Sequence, residues 1–106
     1  MKLWIDDIRP APDGYIWCSS VDSAKKTIEI YGSWVDSDNN TVDYIELIDI
    51  DYDAGKYARF GGDYIELLNW LEETGRNYPI RIHSMNPVGR ENMQRIIQRN
   101  GWKEIR

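Results

Sequence analysis

Apolar positions along the chain follow two spacings, and the points where one gives way to the other predict its elements. "KLWI" reads as a strand that stops at Asp6 and Asp7, both poor strand residues. "RPAPDG" follows as an extended loop, because two prolines and a glycine forbid regular structure. "YIWC" is a second short strand. Ser20 then stands as an N-cap, Val21, Ala24, Ile28 and Tyr31 share one helical face, and Gly32 is the terminator.

The polar stretch "GSWVDSDNNTVD", Gly32 to Asp43, is the most loop-like segment. "DYIELIDI" is nearly continuous in apolar residues at Ile45, Leu47, Ile48 and Ile50, the pattern of a strand buried on both faces. It runs into Asp49, Asp51 and Asp53. Asp63 can cap the next helix, whose stripe is Ile65, Leu67, Leu68 and Leu71 and whose stop is Gly75. "PIRIHS" is a further strand. Asn86 followed by Pro87 marks a helix start, with Met93, Ile96 and Ile97 facing the core and Gly101 at its end. "WKEI" is a last edge strand.

Strands alternating with helices imply parallel units joined by right-handed crossovers. The fold class expected is α/β, a three-layer α/β/α arrangement with a mostly parallel sheet of four to five strands and helices on both faces. A chain of 106 residues favours one domain.

Composition narrows the function classes. The chain is 42% apolar with five tryptophans and seven tyrosines, so it is expected to fold. No apolar run approaches the roughly 20 residues of a membrane span, and "MKLWIDDIRP" turns acidic too early for a signal peptide, so a cytoplasmic location is expected. Cys18 is the only cysteine and reads as a small buried hydrophobe. A net charge of −5 argues against general nucleic-acid binding, which needs clustered Lys and Arg, but leaves room for a small phosphorylated ligand.

Open α/β sheets bind ligands beyond the carboxyl ends of their strands, and three strand ends here carry unusual polar residues: Asp6 and Asp7, Asp51 with its neighbours, and His83 with Ser84. Carboxylates gathered at adjacent strand ends repel unless solvated, protonated or neutralised, and a hard divalent cation, Mg²⁺ or Mn²⁺, is the economical partner. Asp6, Asp7 and Asp51 are the expected ligands, with Asp53 an additional ligand or acid. The alternative for each is a plain strand-terminating aspartate.

The Asn86 helix start offers amides and a positive dipole end to an anion, Ser84 a hydroxyl, and Gly89 room for close approach. His83 can transfer protons near neutral pH or ligate a metal. Strand alternation, however, sets His83 and Ser84 on opposite sides. Arg9 is either a phosphate clamp or the ion-pair partner of Asp6 or Asp7. Arg90, in the first helical turn, opposes the dipole and is better tolerated beside an anion. Tyr52 or Tyr57 could stack on a base.

"DDIRPAPDG", "IDIDYDAG", "GGDYIELLNWL" and "IHSMNPVGREN" together resemble the cyclic-phosphate processing receiver-like domains, compact relatives of the response-regulator receiver fold. The resemblance covers nearly the whole chain. It implies a sheet order 2-1-3-4-5, the first receiver helix reduced to the Arg9 to Gly14 loop, and a metal-assisted phosphoesterase acting on a small cyclic phosphate derived from a nucleotide or ADP-ribose, in RNA repair or NAD-linked metabolism.

The resemblance also implies Asp6, Asp7, Asp51, Asp53, His83, Ser84 and Asn86 as site positions. Where it implies Asp-His-Asp, this chain has Asp51-Tyr52-Asp53, and a tyrosine with an ordinary pKa near 10 is the poorer acid–base group. Two-histidine catalysis is thereby excluded. Ordinary receivers are phosphorylated on the third-strand aspartate, here Asp51, but place a lysine at the end of the fifth strand, where this chain has none. Phosphorelay and a noncatalytic nucleotide or ADP-ribose binding module are the alternative functions.

Overall fold

The computed structural model describes all 106 residues. Five strands form one parallel sheet: β1 (Lys2–Ile5), β2 (Tyr15–Cys18), β5 (Leu47–Ile50), β6 (Ile80–Ile82) and β7 (Glu104–Ile105), in the spatial order β2-β1-β5-β6-β7. Counting only these strands, the order is 2-1-3-4-5, as the resemblance implies. Three helices flank the sheet: α1 (Val21–Tyr31), α2 (Ile65–Glu73) and α3 (Pro87–Asn100). The receiver-like α/β class is therefore the observed one.

Register divides the strand residues between two faces. Leu3, Ile5, Ile48, Ile50, Ile80 and Ile82 alternate onto one face and are buried. They meet the helical stripes Val21, Ala24, Ile28, then Leu67, Leu68, Leu71, then Met93, Ile96, Ile97 in a single core. Each helical crossover steps the same way across the sheet, from β2 past β1 to β5, then to β6, then to β7. Right-handed connections of one sense lie on one face, so α1, α2 and α3 share it, and the third layer expected from helices on both faces is missing because the β1-to-β2 connection holds no helix. The β1-to-β2 connection steps the other way, and there the segment from Asp6 to Gly14 is a loop and not a helix. On that second face Trp17, Trp4, Asp49, Arg81 and Ile105 lie side by side in register.

Local chemistry explains where the helices begin and end. Ser20 and Ser23 form a reciprocal capping box at α1. Asn86 Oδ1 accepts the Gly89 N–H, Pro87 occupies the first turn, and Gly101 closes α3 in the left-handed conformation with φ 68°. Asp63 does not cap α2. Its carboxylate accepts the Ala54 N–H instead, tying the loop after β5 to the start of that helix.

Two elements lie where a loop is expected. Trp34–Val35 (β3) and Thr41–Val42 (β4) form a small antiparallel hairpin whose turn residue Asn39 has φ 64°. The turn is held by Asp36, which accepts the Asp38 and Asn40 N–H groups. Gly55–Arg59 is a short 3₁₀ turn. Cys18 is buried, as expected, and burial pushes its thiol pKa up against a weaker lowering by Thr27. No helix is long and apolar enough to cross a membrane.

The Asn86 cap is the joint between β6 and α3, and replacing Asn86 by Ala is expected to cost about 1 kcal/mol of stability. Urea unfolding should show a lower midpoint with an unchanged slope.

Candidate functional site

The parallel ladder continues one bond past each central strand. The Asp51 N–H donates to the Ile5 carbonyl at 2.9 Å and the His83 N–H to the Ile50 carbonyl at 3.0 Å. Ile5, Ile50 and Ile82 share one register row, so Asp6, Asp51 and His83 form the next row. Alternation turns their side chains to the helix-free face. Asp7, Tyr52 and Ser84 lie one residue further on and turn back toward the helices.

His83 is the centre of the first group. Its Nδ1 lies 2.7 Å from Asp49 Oδ1 and its Nε2 lies 2.9 Å from Asp6 Oδ2. Trp4 stacks flat on the ring, with centroids 3.9 Å apart and planes within 3°. The side chains of Asp6, Asp49 and His83 are 1%, 1% and 9% exposed, so these groups are almost wholly withdrawn from water. Asp49 Oδ2 is buried without a hydrogen-bond partner and has only the Arg81 guanidinium, 3.7 Å away, for charge compensation.

Asp6 also builds the turn that follows it. Its Oδ1 accepts the Ile8 and Arg9 N–H groups, the Trp17 indole N–H donates to its carbonyl, and the Trp4 indole N–H donates to the Arg9 carbonyl. The turn folds Arg9 back over the acids. Arg9 Nε is 3.3 Å from Asp6 Oδ2, and its Nη2 is 3.6 Å from Asp51 Oδ2 and 3.4 Å from the His83 carbonyl. Burial alone would raise the Asp6 carboxyl pKa. The two backbone N–H groups, with His83, outweigh that and hold it below the ordinary carboxylate range.

The second group serves different ends. Ser84 Oγ accepts the Asn86 N–H, and the Gly89 N–H is taken by the Asn86 side chain. The Arg90 N–H bonds the Asn86 carbonyl, leaving Val88 as the first-turn amide outside these bonds. The helix start expected to bind an anion is thus largely satisfied from within. Gly89 is small for an internal reason: a Cβ there would sit 2.4 Å from the Tyr52 ring. Arg90 needs no anion beside it, because its Nη1 donates to the Ile82 and Ser84 carbonyls.

Asp7 is separated from the Asp6 row but remains within reach of its charges. Desolvation, followed by Asp6, Asp51 and Asp53, raises its pKa against the pull of its own N–H. Asp53 is exposed, with no hydrogen bond or ion pair to the His83 group. Lys103 precedes β7 and so stands at the amino edge of the sheet, away from the acids.

Asp6, Asp51 and His83 each offer one ligand atom, and these atoms lie within 4.8 Å of one another. Two carboxylates and an imidazole so spaced fit a divalent cation that takes oxygen and nitrogen donors. Asp7 is not in that set. The cavity of about 380 Å³ lined by Met1, Tyr31, Trp34 and Tyr44 belongs to the opposite, amino edge of the strands and has no carboxylate or imidazole in its lining. The chemistry therefore lies on a more open surface.

Asp49 is the residue that strand reasoning misses. Its signal is an aspartate between Ile48 and Ile50 in an otherwise apolar strand, two residues ahead of Asp51 and thus on the same face.

The family model described as the cyclic-phosphate processing Receiver domain matches residues 1–99. No curated protein and no solved structure matches.

Replacing Asp7 by Asn is expected to raise the urea midpoint of the metal-free protein at neutral pH. A raised folded-state pKa means that ionising Asp7 opposes folding: its contribution is most favourable below the unfolded pKa and is lost as pH rises through the folded one. The gain in Asp7→Asn should accordingly shrink as the pH is lowered through the raised value.

Proposed function

The chain belongs to the cyclic-phosphate processing receiver domains, and from that premise we propose that it is a metal-dependent phosphoesterase that opens a small cyclic phosphate derived from a nucleotide or ADP-ribose. The observation that carries the reading is His83 held between Asp49 and Asp6, beside Arg9 and Asp51. An imidazole oriented by carboxylates on both ring nitrogens, next to a loosely held guanidinium, is the equipment for proton transfer at a phosphate.

Asp6 and Asp51 would hold a divalent cation, Mg²⁺ or Mn²⁺, which when bound polarises the phosphoryl oxygen and lowers the pKa of water. Neutralised in that way, the acids no longer need Arg9. Its contacts of 3.3 to 3.6 Å are long, and its side chain is half exposed, so its planar fork can turn to the phosphate. Asp49 keeps the proton on Nδ1, which makes Nε2 the atom that exchanges protons.

In the reaction a water oxygen bonds to phosphorus and one ribose P–O bond of the cyclic diester breaks. His83 accepts the water proton and returns a proton to the ribose oxygen that leaves. Asp7 would contribute field, and Asp53, being exposed and apart, takes no assigned step.

With Mn²⁺ or Mg²⁺ the purified protein should open ribose-linked cyclic phosphates to monoesters, followed by phosphorus NMR. His83→Ala is expected to lower kcat by about 10²- to 10⁴-fold. Asp49→Asn should lower it in the same direction and shift its pH profile, whereas Asp53→Asn should leave it near wild type. No turnover of any ribose-linked cyclic phosphate with either metal would sink the reading.

A further inference from the structure

We propose that the helix-free face of the sheet is a stacking platform for the nucleobase of the substrate, with Trp17 as its main contact. This rests on the reading of the neighbouring site as one that takes a ribose-linked cyclic phosphate, and it selects, among such esters, those that carry a base.

Three aromatic residues line this face, and both tryptophan N–H groups donate to backbone carbonyls. Trp17 is 45% exposed although it lies in a β-strand of the main sheet, and its indole N–H donates to the Asp6 carbonyl at 2.7 Å. The ring is therefore held in place with its one polar atom occupied and apolar surface facing solvent. Trp4 is its register partner on β1 and stacks on His83. Tyr15, two residues before Trp17 on the same face, meets Trp4 edge-on with centroids 5.8 Å apart. An unbroken aromatic series thus runs from the His83 ring to the sheet edge.

The helix face already covers the apolar side of the sheet, so these rings do not serve the core. Trp17 does not belong to the core cluster or to the residues packed against it. Trp17, Trp4 and Tyr15 together put aromatic surface beside a cluster of ionisable groups, and a contiguous apolar patch so placed marks a ligand-binding surface.

Charge and position identify the occupant. Lys2, Arg9 and Arg81 are exposed and lie on or beside this face, and Lys2 Nζ sits 5.6 Å from the Tyr15 ring centroid. Arg81 and Arg9 there offset Asp49, Asp6 and Asp51, and once a divalent cation takes over Asp6 and Asp51, Arg9 with Lys2 favours a ligand that is anionic at one end. The Trp17 N–H bond to Asp6 sets that ring against the same strand end that Arg9 caps. Neighbouring strands are about 4.8 Å apart. Arg9 reaches from Asp6 after β1 to Asp51 after β5, so a phosphate at Arg9 and an aromatic base at Trp17 on β2 are one to two strand spacings apart, roughly 5 to 10 Å, a span that a single nucleoside cyclic phosphate bridges. Stacking on a tryptophan face is tolerant of base identity, so the platform should require a base without choosing strongly among bases.

The test is calorimetric binding, which does not depend on turnover. Adenosine and uridine 2′,3′-cyclic phosphates are compared with a methyl riboside cyclic phosphate lacking a base, each without added metal so that the proposed hydrolysis does not run, on the wild-type chain and three variants. Wild type should bind both nucleoside esters more tightly than the base-free ester. Trp17→Ala should weaken the nucleoside esters by roughly tenfold to a hundredfold and leave the base-free ester unchanged. Trp17→Phe, which keeps an aromatic face, should retain most of the affinity. Ile16→Ala, on the opposite side of the same strand, should change nothing.

Equal losses for all three ligands, no loss, or no preference for the base-bearing esters would overturn the platform. So would a Trp17→Ala chain that changed sedimentation behaviour and not affinity, since the face would then join copies of the chain. Tight base-dependent binding with no turnover once Mg²⁺ or Mn²⁺ is added would uphold the platform and sink the phosphoesterase.

Discussion

The protein buries a carboxylate in the middle of a central strand, and much of the surrounding arrangement follows from keeping that charge tolerable. Asp49 is buried. An unpaired ion there would cost several kcal/mol, so a partner must reach it. His83 supplies the hydrogen bond and Arg81 the opposite charge. Asp6 takes the other side of the imidazole, Trp4 covers its ring, and Arg9 closes the acids from outside. The partners come from β1, from β6 and the residue after it, and from the loop after β1, so the cluster forms only when β1, β5 and β6 are in register.

The elements were legible where local chemistry and apolar spacing agree. Ser20, Asn86 and Gly101 act as caps and stop because their groups bond the backbone within a few residues. The strand order was legible through the family resemblance. The β3-β4 hairpin was hidden because its strands are two residues each, too short to show alternation, between polar turn residues.

The site was legible as a set of strand ends and not as a geometry. Asp6, Asp51, His83 and Arg9 come together, while Asp7 and Ser84 point back toward the helices. Alternation alone carries that distinction, since each residue differs from its neighbour by one position. Asp49 escaped because "LIDI" reads as an apolar strand, whereas the face opposite the helices is polar. The internal uses of Gly89 and Arg90 depend on Tyr52 and on the carbonyls at the end of β6, contacts that no spacing reveals.

The absence of a helix between β1 and β2 is what links the fold to the chemistry. A helix there would cover Trp4, Trp17 and the His83 row. The loop instead leaves those rings at the surface and swings Arg9 over the acids. Trp4 thereby serves two neighbours, holding the His83 ring with its face and the Arg9 backbone with its N–H.

The chain's single histidine makes one measurement especially direct: nitrogen NMR of the His83 imidazole as Mn²⁺ is added in substoichiometric steps. A cation between Asp6 and Asp51 would broaden the Nε2 signal first and strongly, and Asp51→Asn should weaken that effect. An imidazole signal that stays sharp while distant surface carboxylates broaden would contradict a metal-assisted site at His83.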